Sequence, residues 1–507
     1  MVVRLPNSTA KVFNFRETAP AAASKGMYDK HSLASLYGGL SVGVPGEIAG
    51  YFEASRMYGK LPWKRLFKES IEMMRDGFPV PPELANRIKR YGDFILKDPD
   101  WGFLYPQGKP LVQKDLLFRT NFSHTLSVIA EEGPRVFYNG SVATAIVEYV
   151  RKRGGIITME DMANYTVRVE EPVYGWYHGR QVITCGAPCS GPALIQALNI
   201  LEGFSLGSKT GRMTPQEVHL LVESMKCRTA LPQKTSADLR DAAAARTELG
   251  DPFDPVADRP VRISELTSKD FAALLRTNIS LTKTYPWTHY NPKYDFPRNH
   301  GTTHISVIDK DGMTTSLTST INLIWGSQLH DPVTGIILND EMDDFSQVNN
   351  SNAFRLEPSP YNYIKPFKRP MSSSAPTIIL NPVSGAVELV LGASGGTRIL
   401  TSVLDAIVKY LDWRMDLLNV VEKPRLHHQL LPETISMEKG YDRDVLRYLR
   451  NAGHVYEEYD KSNAKAEIQV VRRIEDEDGT IRLEAVSDSR KNGIAAGISR
   501  SPPRCHD

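Results

Sequence analysis

The chain has 507 residues, and its 61 Lys plus Arg stand against 59 Asp plus Glu for a formal charge of +2. That balance argues against a nucleic-acid binder, which gathers positive charge into a patch or stripe. With 41% hydrophobic and 24% charged residues the composition is globular, no stretch approaches the roughly 18 apolar residues of a membrane span, and four cysteines exclude a disulfide framework.

At about 100–200 residues per domain the length allows two to four folding units or one large one. The first residues read as a strand, with no basic segment followed by an apolar one, so no signal peptide is visible. Sequons at Asn7, Asn121, Asn139, Asn164, Asn278 and Asn349 raise a secretory expectation only slightly. Phe118, Phe122, Leu126 and Ile129 recur at helical spacing up to a stop at Glu132-Gly133-Pro134. Gly154-Gly155 ends one helix, and Thr158 followed by Asp161 starts another. Gln181–Thr184 reads as a strand, and Gly191-Pro192 opens an apolar helix to about Leu201. Cys185, Cys189, Cys227 and Cys505 form no zinc-like pair and read as core or surface thiols. From Cys227 to Ala243 a proline and the loss of an apolar face predict a loop interrupting a helix.

Strand signals take over after residue 300. His304–Ile308 and Thr314–Thr320 alternate around the turn Asp309-Lys310-Asp311-Gly312, a hairpin. Facing residues in such a pair sum to a constant near 621, which sets Thr302 opposite Ser319 or Thr320, with Asn322 just beyond. Taken alone, that meeting of hydroxyls needs no more explanation than threonine's preference for strands. Further strands are predicted at Thr377–Leu380, Val387–Leu391, Glu467–Val471 and Ile481–Ala485, with a helix carrying Leu400, Val403, Leu404, Ile407 and Leu411 on one face. Helices early, strands late and no βαβ alternation indicate a layered α+β protein.

The segments NFRETAPAAASKGMY, VGVPGEIAG, LGDP, GTTHISVIDKDGMTTSLTSTINLIWGSQ, TGIILNDEMDDFS, KRPMSSSAPTIIL, LGASGGTRI, PRLHHQLLP and SDSRKNG follow one another in this order. In that series the chain resembles the gamma-glutamyltransferase (gamma-glutamyl transpeptidase, glutathione hydrolase) family over nearly its whole length. The resemblance implies an N-terminal-nucleophile hydrolase fold, an αββα four-layer sandwich. It also implies self-cleavage between Gly301 and Thr302 into a large part, 1–301, and a small part, 302–507, intertwined in one sandwich. Thr302 would then be the nucleophile. A hydroxyl needs an adjacent base, and the freed α-amine, with an ordinary pKa of about 7.7–8.0, suits that task.

By the same resemblance Thr320 holds Thr302 in its attacking rotamer, and Gly395 and Gly396 form the oxyanion hole. Arg16, Ser372 and Ser373 bind a glutamyl α-carboxylate, and Asn322, Glu341 and Asp344 bind its α-ammonium. The implied partners are glutathione and other γ-glutamyl compounds, amino-acid or dipeptide acceptors, and each cleaved piece for the other; no cofactor is implied. Each residue also has a plainer reading: a surface charge at Arg16, a solvated acidic turn or a calcium loop at 340–344, and loop chemistry at the serines and glycines. The adjacent His427 and His428 read as structural, since neighbouring side chains diverge.

Two features depart from the family pattern. The leader or anchor, and the helical region and glycine-rich strand that precede the part resembling Met1–Leu5, are missing, which predicts an N-terminally truncated member. Extra polar residues at 227–243 predict an insertion. The family is usually secretory, membrane-anchored or, in some members, vacuolar. A glutaryl-type acylase and a truncated, non-catalytic paralogue are the alternative readings. Against the acylase, a glutaryl side chain gives Asn322, Glu341 and Asp344 no ammonium to bind.

Overall fold

The computed structural model describes residues 1–207, 213–227, 249–254, 263–290, 294, 301–348, 356–463 and 465–498. Eleven strands build its two large sheets. They are β1 (Val2–Arg4), β2 (Ala10–Asn14), β3 (Arg168–Glu170), β4 (Val173–Tyr177), β5 (Arg180–Thr184), β6 (Thr303–Ile308), β7 (Thr314–Ser319), β8 (Thr377–Leu380), β9 (Val387–Ser394), β10 (Glu467–Glu475) and β11 (Ile481–Ser487). The first sheet has the order β3-β2-β1-β7-β6 and the second β11-β10-β9-β8-β5-β4, every pairing antiparallel. Both sheets therefore mix strands from before and after residue 301.

Period-two alternation explains the layers. Val2 and Val12 point between the sheets, where they meet Ile183, Cys185, Ile378, Leu380, Val387 and Val390. Their neighbours Val3 and Phe13 point the other way and pack with Phe15 against Tyr51, Ala54, Met57 and Tyr58 of helix α1 (Glu47–Tyr58). On the second sheet Val182, Ile379, Leu389 and Leu391 face outward, onto helices α2 (Gly191–Glu202) and α4 (Arg398–Leu411), with α3 (Pro215–Cys227) packed beside α2. The result is the αββα four-layer sandwich of an N-terminal-nucleophile hydrolase.

Several local expectations are met at atomic detail. The hairpin register pairs Thr303 with Ser319 and His304 with Thr318, a sum of 622, one more than the sequence reading. Thr158 and Asp161 form a reciprocal capping box, and Gly133 and Gly154 take φ values of 79° and 82° where their helices stop. Phe118 differs from expectation. The helix starts at Thr120, because the Arg119 N–H is drawn to the Met74 carbonyl, and Phe118 stays outside it, partly exposed. Cys227 closes α3, while most of the expected insertion, Cys505 and the Asn349 sequon with its Ser351 lie outside the described residues. Among the described residues no helix is long and apolar enough to cross a membrane.

Candidate active site

The two hydroxyls that the hairpin register brings opposite each other do meet. Thr302 Oγ1 lies 3.4 Å from Thr320 Oγ1, and both hydroxyls donate to the carbonyl oxygen of Gly301, Thr320 at 2.6 Å. The Gly301 carbonyl therefore lies directly beside the Thr302 hydroxyl. Thr320 also accepts the Asn322 N–H at 2.8 Å, which fixes its hydroxyl. A Cβ on Gly301 would press into the backbone of Asn322 and Leu323, the Leu323 carbonyl carbon lying 2.8 Å from it, so only glycine fits there.

Asn322 sits in the left-handed region at φ 68°, a conformation asparagine tolerates. Its Nδ2 donates to the Asp340 carbonyl at 3.2 Å, and Asp340 Oδ1 accepts the Leu323 N–H at 2.9 Å. Held this way, the Asn322 side chain keeps its Oδ1 buried without a hydrogen-bond donor. Glu341 Oε2 is a second such acceptor. Buried acceptors are nearly always paired in native proteins, and these two belong to residues joined through Asp340, which Asn322 bonds and Glu341 follows.

Arg16 is buried and bonds through separate guanidinium nitrogens to Glu341 and Asp344, and it also donates to the Met371 carbonyl at 3.0 Å. Its neighbour Glu17 lies 3.9 Å away. Burial works against the guanidinium, but Glu341 and Asp344 outweigh it and hold Arg16 above its ordinary pKa. Burial raises the carboxyls in turn: Glu17 and Glu341 move up, Asp340 is pushed up to about 9 and Asp343 to about 6. One cation thus stands among several close carboxyl groups. The acidic run 340–344 is a buried 3₁₀ turn packed on Arg16, not a solvated one.

Ser372 and Ser373 are buried beside this cluster, with Ser372 Oγ 2.8 Å from Ser374 Oγ. Gly395 and Gly396 form the turn from β9 into α4, at φ 120° and 60°, and a Cβ on Gly395 would meet Ala466 Cα at 2.6 Å. Among the described residues neither glycine hydrogen-bonds Thr302. They stand at the positive end of a 14-residue helix. A cleft runs past Arg16, Glu17, Thr302, Thr320, Ser372 and Cys189, and a second opening bordered by Glu83, Arg87 and Lys491 also reaches Thr302.

The sequence did not mark Glu17, Asp340 or Lys491, although the first two adjoin marked residues. It also missed a buried triad, His219, Glu223 and His454, whose nitrogen and oxygen atoms all lie within 4.8 Å. The i, i+4 spacing of His219 and Glu223 on α3 was its only trace. His219 Nε2 donates to the Ser280 carbonyl at 2.8 Å, so its Nδ1 accepts from His454 Nε2, also at 2.8 Å. Glu223 takes bonds from Thr284, Tyr290 and Lys226. With a proton between the imidazoles and an ammonium on the carboxylate, this donor set suits a structural network and not a cation. His427 and His428 are likewise engaged, with Thr401 and the Leu430 N–H.

Comparison with known proteins adds one family profile, two relatives and two solved structures. The profile of the gamma-glutamyltranspeptidase family matches residues 1–498. "Glutathione hydrolase proenzyme 1" of Schizosaccharomyces pombe is 48% identical over 502 residues, covering 98% of this chain and 76% of that protein. The "Glutathione hydrolase proenzyme" of Escherichia coli is 35% identical over 464 residues, covering 89% and 76%. Among solved structures, the cephalosporin acylase from Bacillus halodurans superposes with a TM-score of 0.81 over 98% of this chain and 86% of its own, at 22% identity, which speaks to fold alone. Gamma-glutamyltranspeptidase from Helicobacter pylori superposes with a TM-score of 0.51 at 28% identity, over 58% of this chain and 81% of that one.

Proposed function

This chain belongs to the gamma-glutamyltranspeptidase family, and from that premise we propose that it is a glutathione hydrolase and γ-glutamyltransferase matured by cleavage before Thr302. The precursor geometry supports the first step. Thr302 Oγ attacks the carbonyl carbon of Gly301 and forms an ester as the peptide nitrogen departs with a proton, while Thr320 polarises the carbonyl oxygen. Water then hydrolyses the ester, leaving a carboxylate on Gly301 and a free amine on Thr302.

That amine serves as the base for the second reaction, in which Thr302 Oγ attacks the γ-carbonyl of a glutamyl donor. Negative charge developing on the carbonyl oxygen is met by the N–H groups at Gly395 and Gly396, at the α4 N-terminus. The donor's amine leaves with the proton, and the glutamyl–threonine ester passes to water or to an acceptor amine. The second opening, with Arg87 and Lys491 on its rim, offers leaving group and acceptor a route that avoids the glutamyl side.

One observation carries the substrate class: the orphan acceptors Asn322 Oδ1 and Glu341 Oε2 beside buried Arg16. A glutamyl α-amino acid is a zwitterion. Its carboxylate takes over Arg16 with support from Ser372 and Ser373, and its ammonium takes over Glu341 and Asp344 and fills Asn322 Oδ1. Each charge released from the existing ion pairs finds a new partner, so the site loses little by opening. A glutaryl side chain has no ammonium and would strand these acceptors. Turnover of γ-glutamyl against glutaryl anilides tests this, and equal rates would overturn the assignment.

A further inference from the structure

We infer that Cys185 and Cys189 are a redox-active thiol pair, oxidised to a disulfide by a low-molecular-weight disulfide of the glutathione class, and that closing the bond loosens the serine segment of the cleft. The effect on donor affinity rests on the γ-glutamyl reading above; the disulfide itself does not.

Cys185 follows β5 directly and is buried, while Cys189, four residues on, is half-buried, and both border the cleft that holds Arg16, Thr302 and Ser372. The Cys189 N–H closes the intervening turn onto the Gly186 carbonyl at 3.0 Å. Cys189 packs against the apolar cluster that holds Cys185, and both sulfurs lie on Ser374, Cys189 against its hydroxyl and Cys185 against its carbonyl. A disulfide spans Cα atoms about 4.4–6.8 Å apart, a separation that a turn closed between the two cysteines permits.

The pair is also laced to the serines. Ser374 Oγ donates to Cys189 Sγ at 3.4 Å, and the Cys185 thiol faces the Ser374 carbonyl at 3.8 Å. In the same stretch the Ser372 N–H donates to the Pro188 carbonyl at 2.9 Å, the Ser190 N–H to the Ser374 carbonyl at 2.9 Å, and Ser190 Oγ to the Ser372 carbonyl at 2.8 Å. The thiol turn and Ser372–Ser374 therefore move together.

The asymmetry of the pair assigns the order of events. Hydrogen bonds from Cys185 and Ser374 pull the Cys189 thiol below its ordinary pKa, whereas burial pushes Cys185 up. Cys189 reacts first, as thiolate, on one sulfur of the small disulfide and expels one thiolate, which takes up the proton Cys189 lost. Cys185 then gives up its proton and attacks the Cys189 sulfur of the mixed disulfide, expelling the second thiol. Two protein thiols and one small disulfide become one protein disulfide and two small thiols; the protein loses two electrons and the small disulfide gains them. The Cys185 S–H is thereby lost as a donor to Ser374, and the Cys189 sulfur is drawn toward Cys185.

The test incubates the full chain with glutathione disulfide, removes the reagent, and combines peptide mapping with steady-state kinetics. The expected map shows a Cys185–Cys189 cross-link. The expected kinetics show KM for a γ-glutamyl anilide raised roughly three- to tenfold, the size of one or two neutral hydrogen bonds, with kcat little changed and dithiothreitol restoring both. Cys189→Ser, compared with its own untreated sample, becomes insensitive to the reagent, and Cys185→Ser halts at a mixed disulfide on Cys189. Absence of the cross-link overturns the thiol pair, and a cross-link with unchanged KM overturns its coupling to the serines. Should reduced protein show no γ-glutamyl turnover, the fault lies in the proposed reaction, and the map still decides the pair.

Discussion

Two buried polar clusters sit in different layers of this molecule, and both join charged side chains far apart in sequence. Around Arg16 two acceptors, Asn322 Oδ1 and Glu341 Oε2, lack donors, and the carboxyls are pushed up by burial. Around Glu223 both oxygens are bonded, the imidazoles of His219 and His454 share a proton, and Lys226 is held by Glu223, Thr284 and the Tyr285 carbonyl. Burial alone does not tell these two clusters apart; their hydrogen bonding does. A network complete in itself has nothing left to offer a ligand, whereas orphaned acceptors are tolerated where a partner arrives from outside.

The comparison can be broken at several points. The largest effect belongs to Thr302→Ala, which leaves one uncut chain on a denaturing gel and removes activity by about ten-thousandfold or more. Full activity in an uncut chain would refute the role of Thr302. Next comes Glu223→Ala, which strands the Lys226 ammonium in the interior and costs about 3–5 kcal/mol in denaturant unfolding. The γ-glutamyl kcat/KM of its folded fraction stays unchanged.

Glu341→Gln gives the mirror image. Its γ-glutamyl KM rises by a factor matching about 1.5–3 kcal/mol, one charge-assisted bond, while the unfolding midpoint holds or rises. Loss of stability without loss of affinity would place Glu341 with the structural network.

The pH dependence sharpens the contrast because the two clusters carry opposite signs. Burial, with His219 and Lys226 nearby, pushes His454 down to about 3, so the native protein stays neutral there while the unfolded chain takes up a proton near 6.5. Its contribution therefore falls as pH drops from about 6.5 toward 3, by at most about 1.4 kcal/mol per pH unit, and His454→Gln flattens that slope in thermal melts. Burial lifts Asp340 instead, so the native state keeps a proton that the unfolded chain sheds near 4. Stability from this group falls as pH rises above 4, and Asp340→Asn flattens the alkaline side. The smallest effect is none at all: added zinc leaves the melting temperature unchanged, since the His219–Glu223–His454 donors are already taken.

Much of the frame was legible because its cause is local. Alternation gave Thr377–Leu380 and the opening residues of β9, β10 and β11, and the turn at Gly312 fixed the hairpin to within one residue of its register. The same register set Thr302 opposite Ser319 or Thr320. What joins Arg16 to Glu341 and Asp344 spans more than 300 residues and has no periodicity to betray it. Those residues entered through a motif series, not through spacing. His219 and His454 are 235 residues apart and belonged to no motif, so they went unseen. Asp340 hid in plain sight, since an acidic run reads as solvated until the turn is found buried.

The crowding at Gly301 has one more outcome. Its carbonyl lies against the hydroxyls of Thr302 and Thr320, so if the proposed cleavage holds the uncut chain is its own first substrate. Under the proposed cleavage, the carboxylate left on Gly301 has to clear these hydroxyls before a donor can reach them, so the cut that arms the threonine also has to vacate its seat.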